Sequence, residues 1–194
     1  MLRGCYQAGI LTVLNSASTH PMQLWAEVLP APADGARIAL EHDSSIGQSV
    51  VALEGPNLAE TFISCPSQAS ETLGIKLPFM FLLVKNTSRL FSFEVELLDD
   101  RGIVRRLRTS NYEARARIGD GVGVVPLRLD EGWNYVTFDI ARLLERAYGT
   151  AYRETRRITL HASVKLRLVA FADRVVPEDQ LPCELRLHSA ESSS

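Results

Sequence analysis

Long stretches of the chain alternate apolar and polar residues. Phe91, Phe93, Val95 and Leu97 fall on one side of the segment 91–97, and Ser92, Glu94 and Glu96 on the other. A period of two is that of a strand with one face buried. Residues 158–170 continue the pattern over thirteen positions. Ile158, Leu160, Ala162, Val164, Leu166, Leu168 and Ala170 share one side, and Arg157, Thr159, His161, Ser163, Lys165, Arg167 and Val169 the other. That exceeds a usual strand, so the segment reads as one long strand, a bulged strand, or two strands meeting around Ala162 and Ser163. Residues 78–84 are an unbroken apolar run of strand length, ended by the polar segment 85–88. This is the pattern of a central strand covered on both faces.

Shorter strands are expected at 49–54 and 60–65, each closed by a Gly-Pro or Pro. Asp99 to Gly102 is turn chemistry, and 103–108 returns to complete a hairpin. Further strands are expected at 122–129, where Pro126 marks an edge or bulge, at 133–140, and at 183–188. The 26–48 segment, rich in Pro, Ala and Asp, reads as a loop. One helix stands out at 141–148. Asp139 is placed to cap it, Leu143, Leu144 and Ala147 share a face, and Gly149 stops it. Many short strands and one short helix define an all-β fold, a jelly-roll β-sandwich. One domain is expected over 1–188, with a flexible Ser-rich tail at 189–194.

With 194 residues, 46% of them hydrophobic, the chain can bury one substantial core. Net charge is −2, which argues against a dedicated nucleic-acid binder. The charge is unevenly spread. Residues 1–100 carry 5 Lys/Arg and 11 Asp/Glu, and residues 101–194 carry 16 and 12. A basic face in the second half would suit an acidic partner, and a mixed solvated surface is the plainer outcome. Cys5, Cys65 and Cys183 are odd in number and far apart, which fits a reducing compartment and two small core hydrophobes rather than a disulfide framework. The apolar run at 9–14 is too short for a signal peptide or a membrane span. A soluble, cytosolic protein is expected, without contact with nucleic acid or membrane.

Candidate chemistry is sparse. The pairs Asp99/Asp100 and Asp130/Glu131 precede Gly102 and Gly132 and read as turns rather than as glycosidase carboxylates. His20, His42, His161 and His188 lack metal-ligand spacing. There is no phosphate-cradling or nucleophile motif, and the glycines of 119–123 fit a hairpin loop. No catalytic residue, metal or cofactor is expected. Trp25, Trp133, Tyr112, Tyr135, Tyr148 and Tyr152 fit core or interface positions better than a sugar platform, with Trp133 sealing the end of the sandwich. Arginine outnumbers lysine 18 to 3, which favours bidentate carboxylate contacts. The candidate partner-binding set is Arg105, Arg106 and Arg108 on one strand, Arg142, Arg146, Arg156 and Arg157 around the helix, and Lys165 and Arg167 on the long strand.

Several ordered blocks carry a resemblance. They are 72–79 (TLGIKLPF), 91–100 (FSFEVELLDD), 108–112 (RTSNY), 126–134 (PLRLDEGWN), 146–152 (RAYGTAY), 158–162 (ITLHA), 171–174 (FADR) and 178–182 (EDQLP). A weaker match runs from Gly9 to Trp25. Through these blocks the chain resembles the cilia- and flagella-associated protein twenty family, also known as the basal-body up-regulated protein family. The resemblance implies a jelly-roll sandwich similar to carbohydrate-binding modules and no enzymatic activity. It implies a structural role in the axoneme and basal body of cilia, with further occurrence at nuclei. There the family closes the B-tubule onto the A-tubule at the inner junction of doublet microtubules. The implied partners are α- and β-tubulin, the alternating parkin co-regulated protein and other microtubule inner proteins. Residues 26–48 and 119–125 depart from the family pattern, and its basic C-terminal extension is replaced by Ser192 to Ser194. A different class of function, a carbohydrate- or small-ligand-binding module, would instead require exposed aromatics in a groove.

Overall fold

A computed structural model describes residues 1–119 and 121–187. The strands are β1 Ile10–Asn15, β2 Ala26–Val28, β3 Arg37–Asp43, β4 Gln48–Glu54, β5 Phe62–Cys65, β6 Phe79–Asn86, β7 Ser92–Asp99, β8 Val104–Ser110, β9 Arg117–Ile118, β10 Val122–Pro126, β11 Gly132–Asp139, β12 Tyr152–His161 and β13 Val164–Ala172. The helix α1, Ile140–Tyr148, lies between β11 and β12. Two sheets form a sandwich, as the alternation predicts. One has the order β11-β6-β13-β4-β3, with β1 also paired to β13. The other runs β2-β5-β12-β7-β8-β10-β9.

The caps of α1 follow the sequence. The Asp139 carboxylate accepts the Arg142 N–H at 2.9 Å, and Gly149 takes φ 64° so that its N–H reaches the Glu145 carbonyl. Asp99 builds the β7–β8 turn by accepting the Arg101 and Ile103 N–H groups at 3.0 and 2.7 Å.

β6 is covered on both faces. Met80, Leu82 and Val84 enter the core between the sheets, while Phe81 and Leu83 enter a second cluster with Val176, Leu181 and Leu185 from the C-terminal segment. Each such side chain contributes about 1.5–3 kcal/mol when fully buried. On β11, Val136 and Phe138 pack on the first core and Tyr135 on the second. Trp133, two residues from Tyr135 in an unbroken register, shares its side and does not seal the space between the sheets.

The long alternating segment is two strands, β12 and β13, meeting at Ala162 and Ser163. Inside β13 the register with β6 shifts between Leu166 and Leu168. This bulge at Arg167 reverses the phase of the strand. Leu166 faces the inter-sheet core, yet Leu168 and Ala170 face the outer cluster, and Val169 and Phe171 turn inward.

Three further expectations are corrected. The 26–48 segment is not one loop, because it contains β2 and β3. Residues 183–187, the described part of the expected strand 183–188, do not form a strand. Cys183–Leu185 is a single 3-10 turn whose Leu185 closes the outer cluster, and His188 and the tail 189–194 lie outside the described residues. Of the cysteines Cys65 is buried, with its thiol pushed up to about 12 by burial, whereas Cys5 and Cys183 are exposed.

Candidate interaction surfaces

The basic half of the sequence does not become a basic half of the molecule, because strands from both halves pair. β7 brings Glu94 and Glu96 directly opposite Arg108 and Arg106 on β8. Arg108 Nε donates to Glu94 at 2.7 Å, and Arg106 donates to Glu96 at 3.0 Å. The result is an alternating ladder on the outer face of this sheet, with both arginines exposed. Arg105 points to the other side, pairs with the buried Asp99 at 3.1 Å and lies over the Tyr148 ring at 4.6 Å. Burial raises the pKa of Asp99, but the Ile103 N–H, the Arg105 guanidinium and the Arg101 N–H outweigh it and hold the group low.

A second ladder crosses the outer face of the other sheet. Lys165 on β13 meets Glu41 on β3 at 2.7 Å, Lys85 on β6 meets Asp43 at 2.8 Å, and Arg37 joins Glu41 and Glu54 at 2.7 and 3.1 Å. Asp43 is 3% exposed. Its burial favours the neutral form, yet the Lys85 ammonium together with the Ser45 hydroxyl and N–H holds its pKa at about 2. The Lys165 ammonium is raised by its hydrogen bond to Glu41.

The remaining candidates divide sharply. Arg167, at the bulge, is 1% exposed. Its guanidinium hydrogen-bonds Asn15, Gln48 at 2.7 Å and the Glu184 carbonyl at 2.8 Å, joining β1, β4 and the C-terminal segment. It therefore does not share an exposed face with Lys165. Arg157 is also used internally. It donates to the carbonyls of Pro66, Gln68, Ala69 and Glu71 at 2.7–3.2 Å and so clamps the 66–71 loop onto β12. Arg142 and Arg146 are exposed on α1, Arg156 is half-buried on β12, and none of the three makes an ion pair among the described residues. The anchoring roles of Arg157 and Arg167 were not visible in the sequence, since both sit at polar positions of an alternating run.

Turns account for the acidic pairs. The Asp130 N–H is accepted by Asn134, and Gly132 takes φ 79° at the start of β11. The exposed aromatics Tyr6 and Tyr112 lie in segments outside the strands, before β1 and after β8. Among the described residues no group of three His, Cys, Asp or Glu is placed to hold a metal.

The architecture defines a class, a β-sandwich whose polar side chains knit strands and present charge on two broad faces. Comparison gives the family. The CFA20 domain matches residues 1–189, and the chain belongs to the CFA20 domain family. It is 42% identical over 188 residues to Cilia- and flagella-associated protein 20 of Caenorhabditis elegans, covering 97% of this chain and 91% of that protein. Cilia- and flagella-associated protein 20 of Chlamydomonas reinhardtii is 40% identical over 96% of both chains. The Paramecium tetraurelia protein of the same name is 39% identical over 96% of both. Among solved structures, one titled as an exo-beta-agarase aligns over 90% of this chain and 26% of its own, at 9% identity and a TM-score of 0.38, too loosely to carry an argument.

Proposed function

We propose that this protein is a non-enzymatic structural component of the ciliary or flagellar axoneme. It acts at the inner junction, where the B-tubule of a doublet microtubule closes onto the A-tubule. The observation that carries the reading is the whole-chain relationship to proteins named for cilia and flagella, at about 40% identity. The geometry supports it. A two-sheet sandwich with opposed charged faces, taken as one domain over 1–188, suits a staple between two protofilaments. In this reading two different faces meet the α- and β-tubulin of the A- and B-tubules, and the alternating parkin co-regulated protein and other microtubule inner proteins are the further partners. The working location is the axoneme and basal body within the cytoskeleton.

Within the candidate set, Arg106, Arg108, Arg142, Arg146, Arg156 and Lys165 retain some access to solvent and are proposed to meet acidic partner surfaces. The guanidinium groups of Arg105, Arg157 and Arg167 hold the sandwich itself. Binding across mixed charge of this kind weakens with salt. Co-sedimentation with microtubules tests this. Binding is expected to fall as salt rises, and Arg142→Gln with Arg146→Gln is expected to weaken it several-fold with folding intact. Binding that is absent at low salt, or indifferent to both changes, contradicts the charge-docking reading.

A further inference from the structure

We infer that β3 is a docking edge, which takes an extended segment of a partner protein as an additional antiparallel strand. This is independent of the junction reading. Sheet edges expose unpaired backbone groups and are usually shortened, bulged or covered. The sheet that ends on β2 and β9 has edge strands of three and two residues, and β11, the eight-residue far edge of the sheet that ends on β3, is flanked by a smaller groove of about 230 Å³. β3 is seven residues long, contains no proline, pairs with β4 in an unshifted register and has no partner on its other side among the described residues. Alternate N–H and C=O groups along it therefore face outward.

Beneath this edge lies a groove of about 610 Å³, between β3 and the segment leading to β2. Pro21, Met22, Ile38, Leu40 and Val51 give it an apolar lining. Ile38 packs on the core, but Leu40, on the same side of the strand, is 55% exposed. A strand added to β3 would send every second side chain into this groove. A helix or a small molecule would fill the groove but leave the backbone edge unpaired.

Charge fixes the rest of the pattern. The ladder across β13, β4 and β3 ends on the edge strand at Arg37 and Glu41, which also pair with each other past Ala39. Directly opposed charges across strands attract, and like charges repel. The partner segment therefore carries apolar residues opposite Ile38 and Leu40, an acidic residue opposite Arg37, a small one opposite Ala39 and a basic one opposite Glu41.

The probe is an end-capped heptapeptide, Lys-Val-Lys-Val-Ser-Val-Glu, added to isotope-labelled full-length protein and followed by NMR. Saturable shifts are expected at the β3 amides and the Met22 methyl group. Leu40→Lys, at an exposed site, is expected to weaken binding about tenfold or more. Arg37→Glu is expected to weaken it too and to be rescued by a peptide ending in Lys. Three results would each overturn the proposal. The β3 amides stay unmoved at saturating peptide, or the shifts are confined to the groove, or the edge self-associates without peptide, which makes a second copy the occupant.

Discussion

At the scale of single residues, a formal charge says little until its partner is known. Arg167 and Arg108 are both arginines on strands, but one is interior and the other solvated. Replacing Arg167 with Ala leaves Asn15, Gln48 and the Glu184 carbonyl without their donor. Urea denaturation is expected to show a loss of about 3 kcal/mol. Arg106→Gln with Arg108→Gln removes exposed pairs and is expected to cost about 1 kcal/mol or less. Asp43 links stability to pH. Its folded pKa, about 2, lies below the ordinary carboxylate value. Its contribution, on the order of 2 kcal/mol, is thus complete above the unfolded pKa and is lost as pH falls toward the folded one. The stability gap between the native protein and Asp43→Asn is expected to narrow steadily between pH 5 and pH 2.5. A gap independent of pH across that window would show that Asp43 does not link stability to pH.

At the scale of elements, the C-terminal segment is a lid on a sheet rather than a strand within one. Truncation after Arg174 removes Val176, Leu181 and Leu185 and bares Phe81, Leu83, Leu168 and Ala170. A loss of roughly 5 kcal/mol and increased binding of a hydrophobic dye are expected. A truncated chain as stable as the native one would show that the outer cluster contributes little. Sequence periodicity revealed those elements whose two faces differ in polarity, such as β7, and the unbroken run of β6 with both faces covered. It also placed Asp139 and Gly149 at the ends of α1. It did not reveal the bulge at Arg167, because Leu166, Leu168 and Val169 are apolar on either side of it and any phase fits. β3 was obscured by the Pro- and Asp-rich residues preceding it, although Ile38 and Leu40 alternate with Arg37, Ala39 and Glu41. Leu185 and Leu187 do pack on the outer cluster while Cys183 stays exposed, and a segment covering a sheet needs no hydrogen-bonded neighbour, so its apolar residues mimic a strand. The candidate surface was legible as arginines and not as ion pairs. Their carboxylate partners come from strands 10 to 14 positions away on β7, and in the case of Lys165 from β3, a strand the sequence did not disclose.

At the scale of the whole molecule, interleaving of the two halves turns a charge asymmetry along the chain into two self-neutralised faces. Such faces are suited to partners that present charge in a matching pattern rather than to any polyanion. The family relationship spans nearly the full length of this chain and of its relatives, so the domain is related as a whole rather than in part. We propose that this unit closes the inner junction. Electron cryo-tomography of doublet microtubules from cilia depleted of the protein is expected to show a gap in density between the B-tubule and the A-tubule on the inner side, restored by the native protein. Junction density that is continuous and unchanged in depleted cilia would contradict the proposal.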